Sequence, residues 1–363
     1  MSRSISGAIL EPGLGVDVYQ NNVRITELER GEYESVTSCV DGDYRGFIAI
    51  HSTVLGPAVG GTRFWRYPNE EAAIKDLLRL ARGMTYKNAL AGIPFGGGKS
   101  IVLRDDGGVD RERIFRAHGR FVESFGGRYI TAEDVGTSPV EMGYVRLETQ
   151  HVAGLVGLSG DPSPFTARGV FRAMQAAARH RWSSDTLAGR TVALQGCGNV
   201  GYHLASLLHT TGARLIVSDV DVQRADRLVE EFGAMAVPAD EIYSTDANVF
   251  APCALGGVIN DQTIPQLKVE IIAGAANNQL LEERHGAELA RLDILYAPDY
   301  VANAGGVING CRELLGWEAS QSAAKVDQIY DTVLDIFGTA EAEGIPTSQA
   351  ADRLAEQRLE KGT

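Results

Sequence analysis

Thr191-Val192-Ala193-Leu194-Gln195-Gly196-Cys197-Gly198-Asn199-Val200-Gly201, with Leu215-Ile216-Val217-Ser218-Asp219 downstream, decides the fold of this chain. The apolar run 191–194 predicts a short buried strand, 199–209 a helix, and 215–219 a second buried strand ending on an acid. Strand, glycine turn, helix and strand make a βαβ unit. In that setting the glycines have physical work: Gly196 permits the tight turn, Gly198 lets a pyrophosphate approach the backbone, and Gly201 lets the helix pack on the strand. The N–H groups opening the helix at Asn199 and Val200 attract negative charge. Asp219, about 20 residues beyond the first glycine, is placed to accept hydrogen bonds from the adenosine ribose and to repel a 2′-phosphate, which favours NAD over NADP. Asp221 adds a second negative charge, and no arginine follows immediately.

Working outward, Val249-Phe250-Ala251, Ile271-Ile272-Ala273 and Ile294-Leu295-Tyr296 are further short apolar strands, each followed by a polar or glycine-rich turn. That is the pattern of a parallel sheet with its ligand at the carboxyl ends of the strands. Upstream, Phe165 to Arg179 reads as an alanine-rich helix after the loop Gly160-Asp161-Pro162-Ser163-Pro164, and the tail from Gln321 reads as helical and charged. Asn69-Glu70-Glu71 places a capping residue and two acids ahead of Ile74, Leu77, Leu78, Ala81 and Met84, predicting an amphipathic helix that delivers Lys87 just past its end. A second helix is expected over Ile114, Phe115, His118, Phe121 and Val122, with His118 a packed core histidine, and a strand over Arg128-Tyr129-Ile130.

A chain of 363 residues, 44% of them apolar, exceeds the size at which one core stops growing, so two domains are expected. Residues 1–150 form a substrate-binding catalytic domain, with 334–363 returning to it, and 151–333 the dinucleotide-binding domain. The net charge of −13 argues against nucleic acid, whose phosphates call for clustered Lys and Arg. No apolar run reaches the roughly 20 residues of a membrane span, and Met1-Ser2-Arg3-Ser4 leads into no signal-peptide core, so a cytoplasmic protein is expected. Cys39, Cys197, Cys253 and Cys311 lack the paired spacings of a zinc site or redox dithiol and read as free thiols; no metal is expected.

The remaining chemistry lies in Met84-Thr85-Tyr86-Lys87 and Gly96-Gly97-Gly98-Lys99-Ser100. By themselves these read as surface cations on a flexible loop. With Asp134, however, they could supply what oxidation of an amine beside a carboxylate needs: a cation, a base to activate water, and an acid to handle amine protons. Seven ordered segments then carry a resemblance from about Glu32 to Gln357: Leu55-Gly56-Pro57-Ala58-Val59-Gly60-Gly61-Thr62-Arg63, the two lysine segments, Thr131-Ala132-Glu133-Asp134-Val135-Gly136-Thr137, Ala251-Pro252-Cys253-Ala254-Leu255-Gly256-Gly257, Gly274-Ala275-Ala276-Asn277-Asn278, and Ala297-Pro298-Asp299-Tyr300 with Asn303-Ala304-Gly305-Gly306. The chain resembles the Glu/Leu/Phe/Val amino-acid dehydrogenase family, most of all its leucine dehydrogenase branch. The stretch before Ile25 runs longer than that family's usual start.

The resemblance implies an α/β fold in which an N-terminal α/β catalytic domain is completed by the C-terminal helix and faces a Rossmann NAD-binding domain across a cleft. It implies NAD-dependent, reversible oxidative deamination of an L-amino acid to a 2-oxoacid and ammonia, in a homo-oligomer. Lys87 would bind the substrate carboxylate with Asn278 and the backbone near Gly60 and Gly61. Lys99 would be the general base, acting through a water, with its pKa lowered by burial and by Lys87, and Asp134 would contact the amine and shuttle its proton. Thr166 and Asn277 would lie near the nicotinamide, Asn303 at the junction of cofactor and substrate, and Cys253 and Ala254 on the cofactor. Val59, Ala132, Val307 and Gly310 would line the side-chain pocket. Glutamate-specific relatives carry a lysine at the Val59 position. The leucine branch typically has leucine there and valine at Gly310, whereas Ala132 keeps the leucine-type residue. Two smaller residues open the pocket to leucine, valine or an aromatic side chain such as that of phenylalanine. A 2-oxoacid reductase that needs no ammonia, or a non-catalytic sensor of NAD and amino acid, are the alternatives; a sensor has no need of Lys99 and Asp134.

Overall fold

The computed structural model describes residues 18–20, 23–104, 110–157 and 160–362, so the Met1-Ser2-Arg3-Ser4 start lies outside the described residues. The chain divides into two compact units, the first holding the described residues up to Thr85 with Phe95–Leu155, the second Tyr86–Pro94 with the residues from Val156 on.

In chain order the first unit contains β1 (Val18–Gln20), β2 (Val23–Glu27), β3 (Ser35–Asp41), β4 (Tyr44–Ser52), β5 (Ala58–Trp65), α1 (Glu70–Ala91, whose residues from Tyr86 on fall in the second unit), β6 (Gly96–Leu103), α2 (Arg111–Glu123), β7 (Tyr129–Glu133) and α3 (Pro139–Arg146). Its sheet has the order β1-β2-β3-β4-β6-β5-β7. β4 runs antiparallel to β6, whereas β5 is parallel to both β6 and β7. α1 lays Ala73, Leu77 and Ala81, four residues apart and thus on one helical stripe, against Val36, Phe47, Ala49 and Ile101 of one sheet face. α2 covers the other face with Ile114, Phe115, Phe121 and Val122. His118 is fully buried there, bonded at 2.8 Å to both the Tyr44 and Thr62 hydroxyls. Burial pushes its pKa down to about 3, so it is a neutral core histidine, as expected.

Two local expectations differ from what forms. The Asn69 side chain accepts the Ala72 N–H at 2.8 Å and opens α1 as read, but the helix runs on to Ala91, which puts Lys87 inside it rather than past its end. Nothing between Met84 and Ala91 breaks a helix; Gly92, at φ +60°, does. The glycine segment before Lys99 is likewise no loop but the buried strand β6. A Cβ at Gly97 would stand 2.0 Å from the Thr85 backbone nitrogen, and one at Gly98 2.8 Å from the Ala49 carbonyl. These glycines let β6 lie against α1 and β4.

The second unit contains α4 (Ser163–Trp182), β8 (Thr191–Gln195), α5 (Asn199–Thr210), β9 (Arg214–Ser218), α6 (Val222–Phe232), β10 (Met235–Ala236), β11 (Val249–Pro252), β12 (Ile271–Ile272), α7 (Arg284–Arg291), β13 (Leu295–Tyr296), α8 (Asp299–Ala302), α9 (Gly305–Leu315), α10 (Ala319–Asp327), α11 (Ile329–Glu343) and α12 (Thr347–Lys361). All six strands are parallel, in the order β10-β9-β8-β11-β12-β13, so the sheet reverses direction of growth between β8 and β11. This is the doubly wound arrangement, with its ligand crevice at the carboxyl ends of the central strands. α12 groups with this unit through residues 86–94 of α1: Arg358 donates to the Ala89 and Leu90 carbonyls, and the Tyr86 hydroxyl to Glu356. The sequence reading had assigned 334–363 to the catalytic domain. Among the described residues no helix is long and apolar enough to cross a membrane.

Candidate active site

Strand register assembles the first group of site residues. Because side chains alternate between faces along a strand, the pairings Val59↔Gly97, Val59↔Ile130 and Gly61↔Ala132 place Val59, Gly61 and Arg63 of β5, Ala132 of β7 and Lys99 of β6 on the face that α1 covers. Asp134 follows β7 directly and continues that row. Lys99 Nζ lies 2.9 Å from Asp134 Oδ2, with the Lys99 side chain 5% and the Asp134 side chain 24% exposed. Gly60 points the other way: a Cβ there would stand 1.8 Å from the Gly98 carbonyl, and its own carbonyl accepts the Tyr129 hydroxyl at 2.6 Å. Val59 is buried and Ala132 half-buried.

The electrostatics of the pair are set by burial and by a second cation. Burial pushes the Lys99 ammonium down; Asp134 pulls it back up, Arg63 pushes it down again, and the net direction is down. Burial alone would raise Asp134, but Lys99 and Arg63 outweigh it and hold its carboxyl below the usual range. The cation beside this pair is thus Arg63, in the part the sequence reading gave to Lys87.

Lys87 belongs to the second unit's group. Its Nζ donates to Asn303 Oδ1 at 2.7 Å, while Asn303 Nδ2 donates to Asn277 Oδ1 at 2.8 Å and to the Ala275 carbonyl at 3.0 Å. Asn278 adopts φ +52°, a left-handed conformation that asparagine tolerates better than most residues, and its carbonyl accepts the Gly257 N–H. Asp299 is a partner the sequence reading left without a role: it is buried, accepts the Gln279 N–H at 2.7 Å, and carries a carboxyl raised by burial and drawn back by Lys87. Thr166, in the first turn of α4, adjoins Gly306, where a Cβ would stand 2.7 Å from its hydroxyl. Val307 and Gly310 lie three residues apart on α9, hence on one side of it, and a Cβ at Gly310 would meet nothing within 4 Å beyond its chain neighbours.

The glycine turn has the form a dinucleotide needs. Gly196, at φ +97°, passes so close to the Cys253-Ala254 turn that a Cβ would be 2.8 Å from the Ala254 nitrogen. At Gly201 a Cβ would be 2.0 Å from the Gly196 carbonyl, so only glycine lets α5 close on β8. At Gly198, by contrast, the space is open, with only the Arg224 guanidinium at 3.9 Å. No side chain caps α5, so the N–H groups at Asn199, Val200 and Gly201 face that space with their donors available for a pyrophosphate. Asp219 accepts the Cys197 N–H at 2.7 Å and the Asp221 N–H at 2.8 Å, so it also braces the turn. Arg224 pairs with Asp221 at 3.2 Å and offsets the second negative charge read from the sequence, leaving Asp219 as the principal acid. These residues fit a nicotinamide dinucleotide.

Comparison with known proteins agrees with both halves. Residues 35–151 match the Glu/Leu/Phe/Val dehydrogenase dimerisation domain, and 157–223 with 220–361 match the Glutamate/Leucine/Phenylalanine/Valine dehydrogenase family. The chain is 53% identical to leucine dehydrogenase of Geobacillus stearothermophilus over 338 residues, 92% of each chain. It is 46% identical to valine dehydrogenase of Streptomyces albus over 339 residues, 91% of this chain and 93% of that one. The crystal structure of L-tryptophan dehydrogenase from Nostoc punctiforme superposes with a TM-score of 0.84 at 47% identity, covering 91% of this chain and 96% of that one. A chain matched over nearly its whole length, with a buried lysine–carboxylate pair on one unit and a dinucleotide turn on the other, belongs to the Glu/Leu/Phe/Val dehydrogenase family and is an amino-acid dehydrogenase using a nicotinamide cofactor.

Proposed function

We propose that this protein catalyses the reversible oxidative deamination of an L-amino acid with an apolar side chain, using NAD, and that Lys99 and Asp134 move the protons. The observation that carries this reading is the Lys99–Asp134 pair, whose lysine is buried on the interior strand β6, where a charged group without a task would be costly. Lys87 holds the substrate carboxylate, with Asn278 and the backbone at Gly60 and Gly61. Asp134 accepts a proton from the substrate ammonium. The Gly196–Gly201 turn, with Thr166, Cys253, Ala254, Asn277 and Asn303, would hold NAD, whose nicotinamide would supply the acceptor for the hydride of the α-carbon. Lys99, whose pKa burial lowers, removes in its uncharged form a proton from the water that adds to the resulting imine. Asp134 then returns its proton to the nitrogen, the C–N bond breaks as the new hydroxyl gives its proton to the departing ammonia, and ammonium and the 2-oxoacid remain. Incubating the protein with NAD and a panel of L-amino acids should give NADH and ammonia in equal amounts. NADH oxidation by 2-oxoacids without ammonia would instead indicate a hydroxy-acid reductase, and binding without turnover a sensor.

Asp219 is the residue read as choosing NAD. Asp219→Ala should weaken NAD and narrow the preference over NADP, because it removes a ribose acceptor and a charge that repels the 2′-phosphate, and leaves Arg224 nearby. Dissociation constants for the two cofactors test this; a wild-type preference for NADP would overturn it.

Val59 offers no cation for a distal carboxylate, which would cost several kcal/mol to bury, so glutamate is disfavoured. Val59, Ala132, Val307 and Gly310 select by size, and the open space at Gly310 admits bulky aliphatic or aromatic side chains. Gly310→Val fills that space, so it should lower kcat/KM for phenylalanine more than for valine, by about 1–3 kcal/mol in discrimination. Equal losses on both substrates would mean that this position does not shape the pocket. The match of residues 35–151 to a domain described as a dimerisation domain supports a homo-oligomer. Residues up to about 150 with the C-terminal helix serve the substrate, and the doubly wound unit serves the cofactor.

A further inference from the structure

Asp134 is held by more than its catalytic lysine. Arg63 Nε donates to Asp134 Oδ2 at 3.0 Å, the same oxygen that Lys99 Nζ approaches at 2.9 Å. The other arm of the guanidinium is anchored: Arg63 Nη1 donates to Asp76 Oδ2 at 2.8 Å, Tyr67 donates to that oxygen at 2.6 Å, and Arg79 takes Asp76 Oδ1 at 2.8 Å. The Asp134 backbone is fixed as well, its N–H bonded to Thr137 Oγ1 at 2.8 Å. Both cations therefore converge on Oδ2, and among the described residues Asp134 Oδ1 accepts no hydrogen bond.

We propose that Arg63 is the positioning residue of this reaction: it ties Asp134 Oδ2 to the α1 anchor Asp76 so that Oδ1 is the oxygen offered to the substrate amine. The inference rests on the reading of Asp134 and Lys99 as the proton-transfer pair. A guanidinium suits this task because its planar fork spans two carboxylates at once, whereas an ammonium is a single point of charge. At 20% side-chain exposure and between two acids, Arg63 stays charged. Arg63 also acts on Lys99 through its charge. The charged groups acting on Lys99 come from β5 (Arg63), α1 (Asp76, with Arg79 on its far oxygen and Tyr67 on the near one) and the end of β7 (Asp134). Among these, Arg63 disfavours the Lys99 proton, and Asp134 and Asp76 favour it.

Three variants test this. Arg63→Met should lower kcat about 10- to 100-fold, the scale of a misplaced reacting group, with a smaller change in KM. It should also move the acid limb of the kcat/KM profile to higher pH, because a like charge near Lys99 is gone. Arg63→Lys keeps the charge but not the fork, so it should restore the position of that limb while recovering only part of kcat. Asp76→Asn frees the anchor without touching Asp134; kcat should fall again, but the limb should move to lower pH. A merely structural arginine would not produce opposite pH shifts with a shared loss of kcat. Should Arg63→Met fail to fold, Arg63→Lys and Asp76→Asn carry the same decision. Wild-type kcat with an unmoved pH profile in folded Arg63 variants, alongside an inactive Lys99→Ala, would overturn the positioning role and leave the proton-transfer pair standing. An active Lys99→Ala would overturn the pair itself.

Discussion

Lys99→Ala is expected to reduce kcat by about 10²- to 10⁴-fold, the usual worth of a general base, while NAD binds as it does to the wild type. The two effects separate because Lys99 stands on β6 of the first unit, whereas the glycine turn and Asp219 belong to the second. Folding should survive. Removing the lysine leaves Asp134 with Arg63 as a cation, so no buried carboxylate is stranded. In the wild type, kcat/KM for deamination should rise with pH, since burial lowers the Lys99 pKa from that of an exposed lysine and catalysis needs the proton-free amine. That rise should be absent from the residual activity of Lys99→Ala. Steady-state kinetics against pH, with NAD binding by calorimetry, measure both. A variant with near-wild-type kcat/KM would remove Lys99 from the mechanism.

The strands of the second unit, β10 apart, could be read from sequence, and most of those of the first could not, for a physical reason. β8 and β9 are apolar runs closed by glycine or an acid and β11 is one closed by a proline, signals that depend on neighbours a few residues away. β5 and β6 instead carry Gly60, Gly61, Gly96, Gly97 and Gly98, and glycine ordinarily disfavours strands. Here the glycines answer to backbone from elsewhere in the chain: Gly98 against Gly60, Thr85 against Gly97. Nothing local in the segment announces such contacts. The helix before it is a different case: apolar spacing located α1, and the absence of a breaker between Met84 and Gly92 already allowed it to continue through Lys87.

The site shows the same limit. Lys99 and Asp134 were legible as reaction chemistry because their residue types match the need for a base and a proton carrier. Arg63 was legible only as part of a motif. Its contact with Asp134 spans 71 positions and exists because β5 and β7 pair in parallel, with Gly61 opposite Ala132. Arg224 is a smaller case of the kind: it lies three residues beyond Asp221, but one helical turn of α6 brings it back toward Gly198.

Asp134→Asn, which preserves size but not charge, should cost about 10²- to 10⁴-fold in kcat, since the amide cannot take up the amine proton. Its effect on stability has a defined pH dependence. Without the carboxylate, Lys99 keeps the desolvation that disfavours its charged form and loses the partner that offset it, so its folded-state pKa falls further below the unfolded value. Where the unfolded chain binds a proton that the folded one does not, stability rises with pH. For Lys99 that window runs from its lowered folded value up to the ordinary lysine value near ~10.4, and the substitution extends it downward. The variant should therefore be less stable than the wild type by about 1–3 kcal/mol, with the gap widening as pH falls below the wild-type Lys99 value and narrowing toward alkaline pH. Urea midpoints measured across pH read this out without reference to turnover. A gap that stayed constant with pH would mean that Asp134 does not sustain the charge on Lys99; wild-type kcat in the folded variant would mean that it carries no proton.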